Sequence, residues 1–314
     1  MSLERALELA ERGRGTTHPN PVVGAVVVRD GAIVGEGWHE RAGGPHAEVV
    51  ALERAGRRAR ASTLYVTMEP CSHHGRTPPC ADAVIAAGVR RVVLGARDPT
   101  PGRVGVERLR DAGVEVEVAD GELGFRARQQ NEAWRTWASR ERPFVTYKVA
   151  VTFDGRVTAP RSRWVSGEES RRLVHELRAA SDAVAVGMGT ARADAPQLTA
   201  RGVEVRRQPR RLVFGSGPLP ERSGLELRSG PLEDELRVLA ADGVQSLLLE
   251  GGPTLATAFL RAGVVDKLLV FVAPLIAGDG LRFLDDLPEP VVLTRLASRA
   301  VGDDLLLTAY LREP

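Results

Sequence analysis

The chain has 314 residues, 43% hydrophobic and 27% charged, with 43 basic and 41 acidic side chains for a net charge of +2. That length suggests about two domains with real cores. The near-balance of charge excludes a strong pull toward nucleic acid or membrane, so no partner of either kind is expected. No apolar run is long enough to span a bilayer, and the charged start carries no signal-peptide pattern. Only two cysteines are present, both in one loop. That usage fits a reducing, cytoplasmic location.

Along the chain, Ser2 to Arg12 reads as a helix with Leu3, Ala6, Leu7 and Ala10 on one face. His18-Pro-Asn-Pro21 is a loop stiffened by its prolines. Val22 to Val28 and Ala32 to Trp38 read as a hairpin about Asp30-Gly31. A helix opens at His46. A strand from Thr63 to Thr67 delivers Glu69-Pro70-Cys71, and Pro79 is placed for the first turn of the helix that carries Cys80. Strands at Arg91 to Gly95 and Val114 to Val118 flank a helix at Val104 to Asp111. This alternation predicts an α/β sandwich with a mixed sheet over residues 1–121.

Glu122 to Arg140 reads as one long helix, giving a helical linker over 122–142 and a second domain over 143–314. In that second domain Phe144 to Val151 is a strand and Ser166-Gly-Glu-Glu169 a capping box opening a helix to about Ala180. Asp182 to Val186 is a strand, Ala193 to Thr199 a loop, and Arg211 to Phe214 and Ser246 to Leu249 further strands. Glu250-Gly-Gly-Pro-Thr254 then turns into a helix, a geometry that suits phosphate. Lys267 to Val272, Val291 to Leu296 and Asp304 to Leu311 close the sheet. All basic residues but Lys148 and Lys267 are arginine, and Lys148 is the more suggestive survivor.

The chemistry concentrates on His46-Ala-Glu48, Cys71 and Cys80. His-x-Glu followed by Pro-Cys and a second cysteine is the pattern of zinc deaminases. One imidazole and two thiolates leave a zinc coordination position open for water, and a glutamate two residues beyond the histidine can shuttle the water's proton without binding the metal. Three blander readings stay open: buried core cysteines, a disulfide, and a closed structural site that adds His74. Asn20 either shapes its turn or donates hydrogen bonds to a substrate. His39, His73, His74, Arg76 and Thr77 surround the site in sequence, with Arg76 a candidate phosphate partner.

His18-Pro-Asn-Pro-Val-Val-Gly24, His46-Ala-Glu48 and Glu69-Pro-Cys-Ser-His-His-Gly-Arg-Thr-Pro-Pro-Cys80 closely resemble the bifunctional deaminase/reductase of riboflavin biosynthesis. Lys148, Asp154-Gly-Arg156, Trp164, Arg178, Ala193-Asp194 and Glu250-Gly-Gly-Pro-Thr254 extend the resemblance over nearly the whole chain. It implies a cytidine-deaminase-like first domain and a dihydrofolate-reductase-like second domain. The first is a hydrolase that deaminates 2,5-diamino-6-(5-phosphoribosylamino)pyrimidin-4-one. The second is an oxidoreductase that uses NADPH to reduce the ribosyl group to a ribityl chain.

By the same resemblance, His46, Cys71 and Cys80 hold one zinc and Glu48 is the proton shuttle. Ala150, Trp164, Thr190, Asp194, Ser216 and Gly251, Gly252, Pro253, Thr254, Leu255, Ala256 and Thr257 line the NADPH site. Ser162, Arg178, Leu198, Arg201 and Glu250 hold the substrate, Arg178 and Arg201 meeting its phosphate and Lys148 polarising the opened sugar. Association of copies through the reductase domain is also implied. The chain departs from the family pattern at Ala195, at Gly215 and in a shortened segment from Gly217 to Ala241, where a strand and loop near the cofactor's adenosine end are expected to be missing. Two other readings are a deaminase with a non-catalytic second domain and a zinc-stabilised nucleic-acid-binding protein. Low aromatic content, 4%, and near-neutral charge weigh against the second of these.

Overall fold

The computed structural model describes residues 2–73, 78–160, 162, 164–221 and 223–314. The chain divides into two compact units, residues 1–140 with Pro314, and residues 141–313.

In the first unit the elements are α1 (Ser2–Glu11), β1 (Gly24–Arg29), β2 (Ala32–Trp38), α2 (Ala47–Ala55), β3 (Thr63–Val66), α3 (Cys80–Ala86), β4 (Arg91–Leu94), α4 (Gly105–Asp111), β5 (Glu115–Val118), α5 (Gly121–Gln130) and α6 (Glu132–Arg140). The sheet runs β2-β1-β3-β4-β5. β1 pairs antiparallel with β2 and β3, and β3, β4 and β5 are parallel, so the sheet is mixed.

Strand periodicity sorts the two faces. Ala25, Val27, Leu64 and Val66 pack on Ala47 and Ala51 of α2, Ala81 and Val84 of α3, and Val106 and Leu109 of α4. Val26, Val28 and Tyr65 face Leu3, Ala6 and Leu9 of α1 and Leu123 of α5. Covered on both faces, β1 reads as a continuous apolar run rather than an alternating one. Glycine permits a close contact between β2 and α2: a Cβ at Gly37 would lie 2.5 Å from the Ala47 carbonyl oxygen. α2 therefore presses its first turn directly on β2, which fixes the start of that helix.

The second unit comprises β6 (Phe144–Thr152), α7 (Glu168–Ala180), β7 (Ala183–Gly187), α8 (Met188–Asp194), β8 (Arg210–Phe214), β9 (Glu226–Arg228), α9 (Leu232–Ala241), β10 (Ser246–Leu249), α10 (Pro253–Arg261), β11 (Lys267–Ala273), β12 (Thr294–Val301) and β13 (Asp304–Tyr310). Its sheet runs β12-β13-β11-β6-β10-β7-β8-β9. From β11 to β9 the strands are parallel; β13 and β12 add antiparallel at the other end. Val145, Tyr147, Leu247 and Leu249 pack with Ala256 and Phe259 of α10 and Leu236 and Leu239 of α9. Val184, Val186, Val213 and Leu248 form a core with Met188 and Ala191 of α8 and with Leu198.

Several expectations are corrected. The helix expected from Glu122 to Arg140 breaks at Asn131, whose backbone leaves the helical region at φ −120°, ψ 27°. Gly167, not Ser166, is the N-cap of α7, and no side chain caps it locally. Its N–H donates instead to Asp304 Oδ2 at 2.8 Å, a tertiary partner from the start of β13. Residues 188–194, expected to be turn and loop, are helical and end at Ala195, which is left-handed at φ 41°. Pro79 is the N-cap of α3 rather than its first residue. The strand expected at Val291 lies at Thr294–Val301. The shortened segment keeps a strand, β9, hydrogen-bonded along β8, and the helix α9.

Candidate active site

β3 ends in Thr67-Met68-Glu69-Pro70-Cys71, and the buried Glu69 carboxylate anchors that run. Its Oε1 accepts the Val106 N–H at 2.8 Å and its Oε2 the Asp98 N–H at 3.1 Å. Cys71 is thereby tied to the start of α4. His46 is the N-cap of α2 and makes no capping bond, which leaves its ring free. Cys80 opens α3. The ligating atoms of His46, Cys71 and Cys80 lie within 4.8 Å of one another. His46 Nδ1 is 3.1 Å from Cys80 Sγ and 3.6 Å from Cys71 Sγ.

Tetrahedral zinc with two sulfurs and one nitrogen needs donor separations of about 3.5–3.8 Å; His46 to Cys71 lies in that range, and His46 to Cys80, at 3.1 Å, would open by a few tenths of an ångström to admit the ion. Both cysteines are free, which removes the disulfide reading. A hydrogen bond from Cys80 pulls the Cys71 thiol well below its ordinary pKa, and the same bond, with burial, pushes Cys80 up. The Cys80 N–H, at a helix start, also donates to Cys71 Sγ at 3.3 Å. Such an environment favours a thiolate ligand.

Glu48, in the first turn of α2, is only 3% exposed. Burial pushes its carboxyl up to about 7, where it can both accept and return a proton. His39 stands beside the ligands, its ring edge-on to that of His46 at 5.3 Å between centroids. His39 Nδ1 lies 3.0 Å from the Pro45 carbonyl and its Nε2 3.2 Å from Asn20 Nδ2. Burial lowers its pKa, which suits a neutral ring that donates from Nδ1 and accepts from Asn20 at Nε2. Asn20, His39, His46, Glu48, Cys71 and Cys80 thus meet in one place. His73 is exposed, and no hydrogen bond or ion pair joins it to this group among the described residues. His74, Arg76 and Thr77 lie outside the described residues.

In the second unit the expected residues gather at the carboxyl ends of the parallel strands, the usual ligand side of such a sheet. Lys148 and Ala150 are on β6, Glu250 follows β10, Thr190 and Asp194 are on α8, and Ser216 follows β8. Gly187 and Gly252 are the N-caps of α8 and α10, and neither helix start is capped by a side chain. Bare N–H groups at the α10 start, behind Gly251-Gly252, suit a cofactor pyrophosphate. The Thr190 hydroxyl would lie 3.6 Å from a Cβ at Gly252, so the two segments are neighbours. These features fit NADPH. Trp164 is exposed, with the Arg171 guanidinium 5.4 Å over its ring, and its carbonyl accepts the Ser162 hydroxyl at 2.6 Å.

Lys148 is not an exposed strand lysine: its side chain keeps 15% of its surface, and its Nζ lies 3.9 Å from Glu250 Oε2. Burial lowers its pKa against the opposing charge of Glu250. Arg178, expected to meet phosphate, donates Nε and Nη2 to Glu250 and Nη1 to the Thr199 carbonyl. Arg201 is exposed and hydrogen-bonded to Gln197. Both arginines act on His175, whose pKa is lowered by burial first and then by their charges, Arg178 the stronger. Leu198 is buried at φ 53°, in the turn before Thr199. Sequence reasoning missed His175, which sits one helical turn before Arg178 and whose Nδ1 lies 3.2 Å from the Thr199 carbonyl. The three-residue spacing was the available signal.

With this geometry in hand, comparison with known proteins gives three likenesses. Residues 2–96 match the family described as the cytidine and deoxycytidylate deaminase zinc-binding region, and residues 143–307 match the RibD C-terminal domain. Riboflavin biosynthesis protein RibD of Aquifex aeolicus (strain VF5) is 40% identical over 344 residues, covering 97% of this chain and 96% of its own. Among solved structures, RibD of Acinetobacter baumannii (form 1) superposes with a TM-score of 0.84 at 35% identity, covering 98% of this chain and 97% of its own. A diaminohydroxyphosphoribosylaminopyrimidine deaminase/5-amino-6-(5-phosphoribosylamino)uracil reductase from Thermotoga maritima superposes with a TM-score of 0.82 at 36% identity, covering 98% and 97%.

Proposed function

The chain belongs to the RibD family of bifunctional riboflavin-biosynthesis enzymes, a zinc deaminase domain joined to an NADPH-using reductase domain, and on that premise we propose its substrates and the roles of its residues. The first unit takes 2,5-diamino-6-(5-phosphoribosylamino)pyrimidin-4-one and exchanges its 2-amino group for oxygen, releasing ammonia. The second reduces the ribosyl C1′ of the deaminated product to give a ribityl chain. The observation that carries this reading is the convergence of His46, Cys71 and Cys80 around one point with the buried Glu48 beside them. A non-catalytic second unit is not favoured, since residues 143–307 match a reductase domain family.

His46, Cys71 and Cys80 would hold the zinc, whose Lewis acidity would bring the pKa of a water toward ~7. Glu48 takes the proton that this water loses and delivers it to the departing amine, a double duty suited to a carboxyl poised near neutrality. Asn20, held against His39, presents its amide to the pyrimidine. Arg76 is assigned to the substrate's phosphate by residue type and place in the motif.

In the second unit NADPH supplies the hydride. Gly251 to Thr257, at the start of α10, would hold its pyrophosphate, and Ala150, Trp164, Thr190, Asp194 and Ser216 would line the rest of its site. Lys148, kept next to Glu250, directs its ammonium at the opened sugar's oxygen. Ser162, Leu198 and Arg201 complete the substrate side, and Arg178 acts there through Glu250, which occupies its fork.

The partners are small pyrimidine ribosyl phosphates rather than nucleic acid or membrane, in keeping with the net charge of +2. Among the described residues no helix is long and apolar enough to cross a bilayer. A cytoplasmic setting suits a thiolate metal site with both cysteines reduced. Copies of the chain associate through the second unit: β12 ends its sheet and is exposed along nearly its whole length, with Leu296 69% exposed.

The test is a coupled assay on the purified protein with the diamino substrate, with and without NADPH. Ammonia release together with NADPH oxidation is expected. Protein that carries zinc and releases no ammonia would overturn the substrate assignment.

A further inference from the structure

We infer that Asn131 is a positioning residue for the deaminase site, holding Asn20 in place through the backbone of Val22; this rests on the reading of Asn20 as a substrate contact. Asn131 lies at the break between α5 and α6 and is only 5% exposed. Its Nδ2 donates to the Val22 carbonyl at 2.9 Å, and its Oδ1 accepts the Val22 N–H at 2.9 Å. One side-chain amide thus supplies both bonds that a neighbouring strand would supply, just before β1 begins.

Pro19 and Pro21 carry no N–H, and the Asn20 N–H is spent on the Thr17 carbonyl at 2.8 Å. Pro21, with its fixed φ, is the only residue between the gripped Val22 and Asn20. A held Val22 therefore narrows the backbone positions open to Asn20, whose Nδ2 lies 3.2 Å from His39 Nε2. His39 is oriented from its other side by the Pro45 carbonyl, next to His46. The path from Asn131 to His46 runs by hydrogen bonds to Val22, along the backbone through Pro21 to Asn20, by a side-chain hydrogen bond to His39 and by a ring contact to His46.

Helix continuity is given up at this place. Leaving the helical region at Asn131 turns its amide toward Val22, 109 residues earlier in the chain. A strong helix former here would let α5 and α6 run on and would leave the Val22 N–H and C=O unpaired in a buried site.

The experiment compares deamination kinetics of Asn20→Ala, Asn131→Ala and the double variant, with zinc content and reductase turnover on pre-deaminated substrate measured alongside. Asn131→Ala is expected to raise the deaminase KM about tenfold, the scale of one lost hydrogen-bond set. Zinc should stay stoichiometric and the reductase unchanged. Because Asn131 acts through Asn20, the double variant should be no worse than Asn20→Ala alone, whereas a merely structural role would add its own loss. If Asn131→Ala does not fold, the isosteric Asn131→Asp, which removes the donor to Val22, enters the same cycle. An unchanged KM in the Asn131 variant, or additive losses in the double variant, overturns the inference while an impaired Asn20→Ala keeps the Asn20 reading. A fully active Asn20→Ala overturns both.

Discussion

Arg178 donates Nε and Nη2 to the two carboxylate oxygens of Glu250, at 2.6 and 2.9 Å, and the ammonium of Lys148 lies 3.9 Å from the same carboxylate. One partly buried anion therefore serves two partly buried cations. The pair organises the second unit's site from three elements: β6, α7 and the turn after β10.

Replacing Glu250 by Gln keeps the shape and removes the anion, so Lys148 and Arg178 face each other uncompensated. A cost of about 3–5 kcal/mol to the second unit is expected, as for other broken buried pairs. Denaturant unfolding of the second unit and the two half-reactions measure it: reduction should fail while ammonia release persists. The same pair sets an acid limit. Burial opposes ionisation of Glu250, but hydrogen bonds from Arg178 and the charges of Lys148 and Arg178 outweigh it and hold its pKa below the ordinary carboxylate range. A depressed folded pKa contributes stability above the unfolded value of 4.5 and loses it as pH falls through the folded value. Stability of the second unit between pH 5 and 3 should therefore fall more steeply in the wild type than in Glu250→Gln. Parallel acid curves would exclude this group as the cause.

Glu48→Gln separates zinc binding from proton transfer. Glu48 is no part of the ligand set, so zinc should remain stoichiometric. The amide cannot take or return a proton, and deamination should fall about 100- to 10,000-fold. Metal analysis and ammonia release together decide it. Substantial remaining activity would move the proton shuttle to another group.

The zinc set was legible because its constraints are local. His46, Glu48, Cys71 and Cys80 lie at the starts of two helices and in the loop between them, and ligand chemistry dictates their types. Long-range pairings left no such trace. Residues 122–140 are rich in helix formers, and only the bonds from Asn131 to Val22 explain the break there. Ser166-x-x-Glu169 has the form of a capping box, but Asp304, 137 residues beyond Gly167, takes the Gly167 N–H. α8 was hidden by Gly187 and Gly189, which read as turn until packing of Met188 and Ala191 against β7 and β8 is seen. Arg178 looked like a phosphate ligand because its partner Glu250 is 72 residues away.

Chelation should divide the two activities. The three ligands all come from the first unit, and no described residue of the second belongs to the set. Stripping zinc is therefore expected to abolish ammonia release and to leave NADPH oxidation with pre-deaminated substrate intact. Added zinc should restore the first activity. Loss of both on chelation would mean that the metal also supports the second unit's fold.

Leu296→Glu tests association through β12. Among the described residues the strand has a neighbouring strand on one side only, β13, so its other edge is open to a further strand. Leu296 is 69% exposed on it, Val292 just before it is 81% exposed, and Leu305 on β13 is 43% exposed. An open edge carrying apolar side chains is a surface that a second copy can cover. A charge at Leu296 would be desolvated in that interface but solvated in the separate chain, so the variant should run as a smaller species in sedimentation velocity. The deaminase rate is expected to stay at the wild-type value, because none of its site residues lies in the second unit. If wild type and variant sediment alike as one chain, β12 is not an interface; if both sediment alike as a larger species, the copies meet elsewhere.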